Sequence, residues 1–219
     1  DVAVTGRMSI GESKVVNFTL ANKIGIIVFD GVAGQRVSLG MSAVTIGAPN
    51  CCDTASIIIY KPNGVLLPSF GFGPAGNGTS SQVLPVTGTY SILVDPYNAN
   101  VGNVTLTLFE DVPTPITING PAVTLDLSQL GQNGRLVFNG TAGQRVSVGL
   151  SGITISPGYC CDVGAVSIYS PGDVALLAPM GFSNGGAGTP SQVLPVTGTY
   201  SIIVDPYIGR TGSVTVTLS

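Results

Sequence analysis

The chain has 219 residues, of which 9% are charged against roughly a quarter in typical globular domains, and its mean hydropathy is +0.47. A net charge of −3 without any basic run excludes a nucleic-acid footprint, and no apolar stretch approaches the ~18 residues that a membrane helix needs. Histidine is absent, which removes Ser/His/Asp and Cys/His nucleophiles and the usual His-containing zinc sites.

In chain order, the first segment is "DVAVTG" at 1–6, a piece of strand able to complete a neighbouring sheet by strand addition. "IGIIVF" at 24–29 is the richest apolar run and has the length of a strand. "FDGVAGQRVSL" at 29–39 follows, and then "APNCCD", where Cys51 and Cys52 are adjacent. Neighbouring residues on a regular strand point to opposite faces, so bridging them requires a distorted turn. Three arrangements stand open for Cys51, Cys52, Cys160 and Cys161: vicinal disulfides, cross-links between domains or chains, or reduced buried thiols.

"GFGPAG" at 71–76 satisfies the G-x-G-x-x-G spacing of dinucleotide sites, but no helix follows and Pro74 interrupts it, so it reads as a loop. "SQVLPVTGTYSI" at 81–92 contains LPVTG, a match to a sortase signal. It lacks the C-terminal position, apolar span and basic tail that such a signal needs, and it reads as a turn leading into a strand on which Tyr90, Ile92 and Val94 share a face. "NVTLTL" at 103–108 alternates, with Val104, Leu106 and Leu108 on one side and threonines on the other.

From "EDVP" at 110–113 the pattern begins again. "FNGTAGQRVSV" at 138–148 answers "FDGVAGQRVSL", Cys160-Cys161-Asp162 answers Cys51-Cys52-Asp53, "SQVLPVTGTYSI" returns at 191–202, and "SVTVTL" closes the chain with Val214, Val216 and Leu218 alternating. "GFSNGG" at 181–186 answers "GFGPAG" and loses its glycine spacing. The repeat predicts two domains, 1–110 and 111–219, each large enough for its own core, with Asp1 matched to Asp111. Short alternating strands separated by Gly, Pro and Asn clusters, with no sustained helical period, predict an all-β fold of two tandem antiparallel, jelly-roll-like β-sandwiches. A chain that begins without Met and stops at a repeat boundary reads as part of a longer product, a longer array.

The order "AGQRVSV", "VSIYSPGD", a Gly-rich loop, "LPVTGTYSIIVDP" and "TGSVTVTL" resembles bacterial pre-peptidase C-terminal (PPC-like) domains in both copies. The resemblance implies a β-sandwich module of secreted or cell-surface proteins, extracellular and non-catalytic, in a family where some members bind collagen or calcium. Glu12 and Glu110 are the only glutamates, and neither has a counterpart in the other copy, so the chain is expected not to be an enzyme.

Calcium prefers grouped carboxylates and carbonyls, and the candidates are Asp53, Asp95, Glu110, Asp111, Asp162 and Asp205. Asp95-Pro96 and Asp205-Pro206 read equally as strand ends. Asn17, Asn77, Asn103 and Asn139 begin N-x-Ser/Thr sequons. Sparse charge and neutral strand faces favour self-association, and the expected role is a structural module of an extracellular fibre or array. The alternative is a carbohydrate- or collagen-binding accessory module, for which the aromatics on offer are Tyr97 and Tyr207, each following Asp-Pro, where an exposed rim and a cover over the end of the core are equally open to them.

Overall fold

The computed structural model describes residues 1–47, 52–156, 162–207 and 209–219. Two compact units emerge, Asp1–Glu110 and Asp111–Ser219. Unit 1 contains β1 (Val2–Arg7), β2 (Ser13–Phe18), β3 (Ile24–Gly31), β4 (Arg36–Ser42), β5 (Ala55–Tyr60), β6 (Leu66–Phe72), β7 (Asn77–Gly78), β8 (Gln82–Val83), β9 (Gly88–Pro96) and β10 (Gly102–Glu110). Unit 2 contains β11 (Pro113–Pro115), β12 (Val123–Leu127), β13 (Gly134–Gly140), β14 (Arg145–Val146), β15 (Val148–Ser151), β16 (Gly164–Tyr169), β17 (Ala175–Phe182), β18 (Ala187–Gly188), β19 (Gln192–Val193), β20 (Gly198–Pro206) and β21 (Gly212–Leu218).

Each unit is a β-sandwich. In unit 1 a five-stranded sheet ordered β1-β3-β9-β5-β6 faces a sheet ordered β2-β10-β4-β7, with β8 also on β4. Unit 2 repeats this as β11-β13-β20-β16-β17 and β12-β21-β15-β18, with β14 and β19 paired separately. The period-two pattern explains the layering. Val104, Leu106 and Leu108 of β10 and Val214, Val216 and Leu218 of β21 are buried, while the threonines between them face outward.

The expected antiparallel pairing has one exception per unit, for β1 runs parallel to β3 and β11 parallel to β13. The chain leaves β1, crosses to the opposite sheet as β2 and returns as β3, so the two outer strands of that path point the same way. "DVAVTG" thus completes its own sheet, where Val4 packs on the core and the following Met8 is buried. The hydrogen bonds also reset the match between copies. The amide of Met8 donates to Val28 O and that of Ile116 to Val137 O, which places Asp111 level with Ala3, not with Asp1.

The LPVTG turns are tied down by the tyrosines that follow them. Tyr90 is fully buried and stacks on Phe29 at 5.3 Å; its hydroxyl donates to Val86 O at 2.6 Å and accepts from the Val86 amide at 3.3 Å. Tyr200 does the same with Phe138 and Val196. Removing either hydroxyl leaves a turn amide and carbonyl without their partner in a site that water does not replace well. Tyr90→Phe and Tyr200→Phe are each expected to cost about 1–3 kcal/mol, measured by denaturant unfolding, with no change in m-value. A loss below a few tenths of a kcal/mol would mean that water satisfies the turn. "GFGPAG" and "GFSNGG" form the same tight turn, bridged between Gly73 and Gly76 and between Ser183 and Gly186, with no helix after either.

Strand edges in both units carry blocks to further pairing. β6 includes Pro68, β17 includes Pro179, and β11 begins and ends with Pro113 and Pro115, none of which has an amide to donate. On the β1 and β2 side of unit 1, Lys14 takes an inward position on its edge strand, and its stem lies over Gly6, where an added Cβ would sit 2.5 Å from Lys14 Cε. Val123 holds the equivalent place in unit 2, opposite Val216 as Lys14 is opposite Leu106.

Candidate functional surfaces

The candidate acidic residues are dispersed. Asp53 and Asp162 are exposed and lie across the neighbouring edge strands at Gly71 and Gly181, positions where only a glycine leaves room for the carboxylate. Arg210 donates from its guanidinium to the carbonyl of Asp162. Asp95 is half-buried at the end of β9, on the row it shares with Ser56. Glu110 is exposed at the end of β10 and accepts from Gln35 Nε2 at 3.1 Å. Asp1 is exposed and paired with Lys23 at 2.8 Å.

The structure does bring Asp111 and Asp205 under each other's influence. Asp111 is buried, at 2% exposure, and Asp205 is half-buried at the end of β20. Burial first, and the Asp111 carboxylate second, push the Asp205 carboxyl up to about 7. Tyr207 beside it is also shifted upward, by burial first and then by Asp162 and Asp205. Among the described residues no three His, Cys, Asp or Glu side chains gather as a metal site. Cys52 is exposed, while Cys51, Cys160 and Cys161, and with them the expected cysteine pairing, lie outside the described residues. Of the two places open to them, Tyr97 and Tyr207 both take the exposed one.

Two hollows flank the outer faces of the five-stranded sheets. In unit 2 a groove of about 470 Å³ runs beside β11 and β13 and is lined by Pro115, Ile116, Ile118, Phe138, Asn139 and Thr199. The same place in unit 1 is crossed by an ion pair, Arg7 to Asp30 at 2.5 Å, with Thr89 Oγ1 donating to Asp30 at 2.6 Å. Those partners hold the Asp30 carboxyl below its ordinary range: the Thr89 hydrogen bond lowers it most, burial is next in size and opposes, and the charge and hydrogen bond of Arg7 lower it further. Pro115 and Asn139 replace the ion pair in unit 2, where Thr199 donates to Asn139 at 2.8 Å and the groove stays open.

The second hollow, about 320 Å³, lies on unit 1 over Ile26, Leu93, Ser91 and Thr89, with Tyr60 and Lys61 at its rim. The registers place Ile26, Leu93 and Ile58 in one row across β3, β9 and β5, all half-buried on the outward face. Arg135, Ile203 and Ser167 take this row in unit 2. Composition alone does not reveal the basin. A local signal exists all the same: "IGIIVF" and "SIIIY" carry apolar residues on both faces of the strand, whereas the matching "GRLVF" and "VSIY" put Arg135 and Ser167 where unit 1 has Ile26 and Ile58.

No family of known proteins matches the sequence, and no curated protein matches it. Among solved structures, the pre-peptidase C-terminal domain of a Bacillus anthracis collagenase is similar over 48% of this chain and 93% of that one, with 7% identity and a TM-score of 0.38. A periplasmic inhibitor of g-type lysozyme from Escherichia coli is similar over 48% and 99%, with 16% identity and a TM-score of 0.32. The CUB1-EGF-CUB2 domains of rat MASP-1 are similar over 97% and 99%, with 9% identity and a TM-score of 0.28. At these values the likeness transfers no residue role and no activity to this chain.

Proposed function

We propose that the chain is a non-catalytic structural module of an extracellular fibre or surface array, built by association of its sheet faces. The observation that carries this reading is the outward face of the sheets that hold β10 and β21. In unit 2 that face presents Thr124, Asp126, Ser213, Thr215, Thr217, Gly149 and Ser151, and in unit 1 Ser13, Asn17, Asn103, Thr105, Thr107, Gly40 and Ser42 beside Val15 and Phe109. Asp126 is the charged side chain on these rows. Several hydroxyls bond each other, Ser13 to Thr107 at 2.8 Å, Thr124 to Thr215 at 3.0 Å and Thr154 to Ser213 at 2.9 Å. Groups already satisfied within the surface lose little when water leaves, and no like charges oppose a second copy. The prolines and Lys14 on the edges favour contact through faces over strand addition.

Sedimentation velocity across a hundredfold range of concentration tests the reading. A weight-average mass that climbs without a plateau is the expected result, since a heterologous contact that does not close continues. A single monomeric boundary throughout would overturn it. Repeating the series with calcium and with a chelator tests the calcium expectation separately: assembly that falls on chelation supports an ion in the contact, and indifference removes it. The second reading, a module that binds carbohydrate or collagen, draws on the uncharged groove of unit 2. It is favoured if the protein stays monomeric and gives specific hits on a glycan or collagen-peptide array.

A further inference from the structure

One strand edge lacks the blocks that the others carry. We propose that β12 of unit 2 pairs antiparallel with β12 of a second copy, joining their two four-stranded sheets into one about a two-fold axis at Leu125. This contact goes beyond the association of faces and does not depend on it. The sheet order ends at β12, which among the described strands pairs with β21 alone. A strand in that place leaves a row of amides and carbonyls pointing outward, and the partner that matches their spacing is another strand.

The other edge strands of more than two residues each carry a device against such pairing. β6 has Pro68, β17 has Pro179, β11 has Pro113 and Pro115, β1 is irregular between Val2 and Val4, and β2 turns Lys14 inward. β12 has none of these. Its sequence, VTLDL, contains no proline, and its register with β21 runs unbroken from Val123 opposite Val216 to Leu127 opposite Gly212. Val123 stands where unit 1 has Lys14. Pro121, Ala122, Thr124, Asp126 and Ser128 are exposed along the strand.

Pairing a strand with its own copy fixes which residues meet. A slip by one residue would turn the apolar row outward, so only registers that keep each side chain on its face remain. With Leu125 opposite Leu125, Val123 meets Leu127 on the core side and Thr124 meets Asp126 on the outward side, twice over. The Thr124 hydroxyl lies 3.0 Å from that of Thr215, from which it can accept while donating to the carboxylate of the second copy. A register centred on Asp126 sets two carboxylates against each other, and one centred on Thr124 sets Leu127 opposite Pro121, which has no amide to give. The two-fold contact is self-complementary and closes at two copies, leaving further growth to the faces.

Amide exchange of the full chain across the same hundredfold range of concentration reads the edge directly, because a sheet face covers side chains while an added strand takes up the outward amides. Exchange of those amides within 123–127 is expected to slow by at least about tenfold at the concentrated end, where about nine copies in ten are paired. Val123→Lys copies the Lys14 block and is expected to remove that concentration dependence. Thr124→Asp and Thr124→Lys, at an exposed position, are expected to act in opposite senses. The first sets a carboxylate against Asp126 of the second copy and weakens the dimer, and the second sets an ammonium there and tightens it, each by roughly two- to tenfold at low salt. Exchange at 123–127 that ignores concentration in the parent, a dependence that survives in folded Val123→Lys, or a shift in the same sense from both Thr124 variants overturns the pairing. Rising mass with unresponsive exchange leaves the face reading standing and this contact wrong; responsive exchange with a mass that stops at two copies does the reverse.

Discussion

Asp205→Asn is expected to raise the stability of unit 2 at pH 7.5 and to flatten its dependence on pH between about 4 and 7. The Asp205 carboxyl is held up to about 7 in the folded unit, by burial and by the Asp111 carboxylate, while in the unfolded chain it ionises near its ordinary value of 3.8. Below pH 4 both states keep the proton and the folded unit bears no penalty. As the pH rises toward 7 the unfolded state releases the proton freely and the folded state does not, so stability falls through this window and levels off above it. Holding the carboxyl at about 7 instead of 3.8 corresponds to about 4 kcal/mol at most, and the partly exposed side chain brings the expected loss to roughly 2 kcal/mol. An amide removes the charge at nearly the same volume. Calorimetry of the full chain at pH 4.5, 6 and 7.5 measures this: the parent's unit 2 transition moves down with pH and the variant's does not. Equal slopes in the two proteins would mean that Asp205 is ionised and solvated in the folded unit.

Unit 1 responds in the opposite sense. Its Asp30 is held below the ordinary range by Thr89 and Arg7, so the stability it contributes is present above about pH 4 and is lost as the pH falls through the folded value. Mild acid therefore favours unit 2 and stronger acid weakens unit 1.

Gly102→Ala and Gly212→Ala are expected to be the most damaging single substitutions outside the core, each costing more than about 3 kcal/mol. Gly102 has φ of +131°, and a Cβ built there lies 2.6 Å from Thr45 O, 2.7 Å from Thr45 C and 2.8 Å from Ile46 N. The obstacle is backbone, which no rotamer change relieves. Making room separates β10 from the 45–46 segment and strains two bonds, from the Thr45 amide to Asn103 O at 2.8 Å and from the Asn103 amide to Thr45 Oγ1 at 2.9 Å. Gly212 faces Thr154 and Ile155 in the same way. Gly34 provides the contrast, with φ of +84° but nothing within 4 Å, so Gly34→Ala carries only the left-handed strain of roughly 1–2 kcal/mol. Urea unfolding of the three variants checks the ranking, and a Gly102→Ala variant as stable as Gly34→Ala would contradict the packing described at the start of β10.

Much of this architecture was legible in the chain itself. Val104, Leu106 and Leu108 reach the core because strict alternation leaves a strand only one apolar face, and the recurrence of "SQVLPVTGTYSI" marks equivalent turns because the same residues meet the same neighbours. Direction was not legible: β1 looks like any short strand, and its parallel pairing follows from a crossing to the other sheet that no local pattern encodes. The acidic positions were legible as residues but not as environments. Asp1 and Asp111 appear alike within "DV", yet one pairs with Lys23 at the surface and the other is buried beside Asp205. Burial depends on what the rest of the fold lays over a side chain. The Tyr60–Lys61 basin lies between these cases, since its strands announce two apolar faces while its shape depends on the register of β3, β9 and β5.

Negative-stain electron microscopy of the purified chain, at concentrations where sedimentation finds mass increase, tests the proposed role most directly. Unbranched filaments are the predicted result. Dispersed single particles from the parent protein at every concentration would contradict the account.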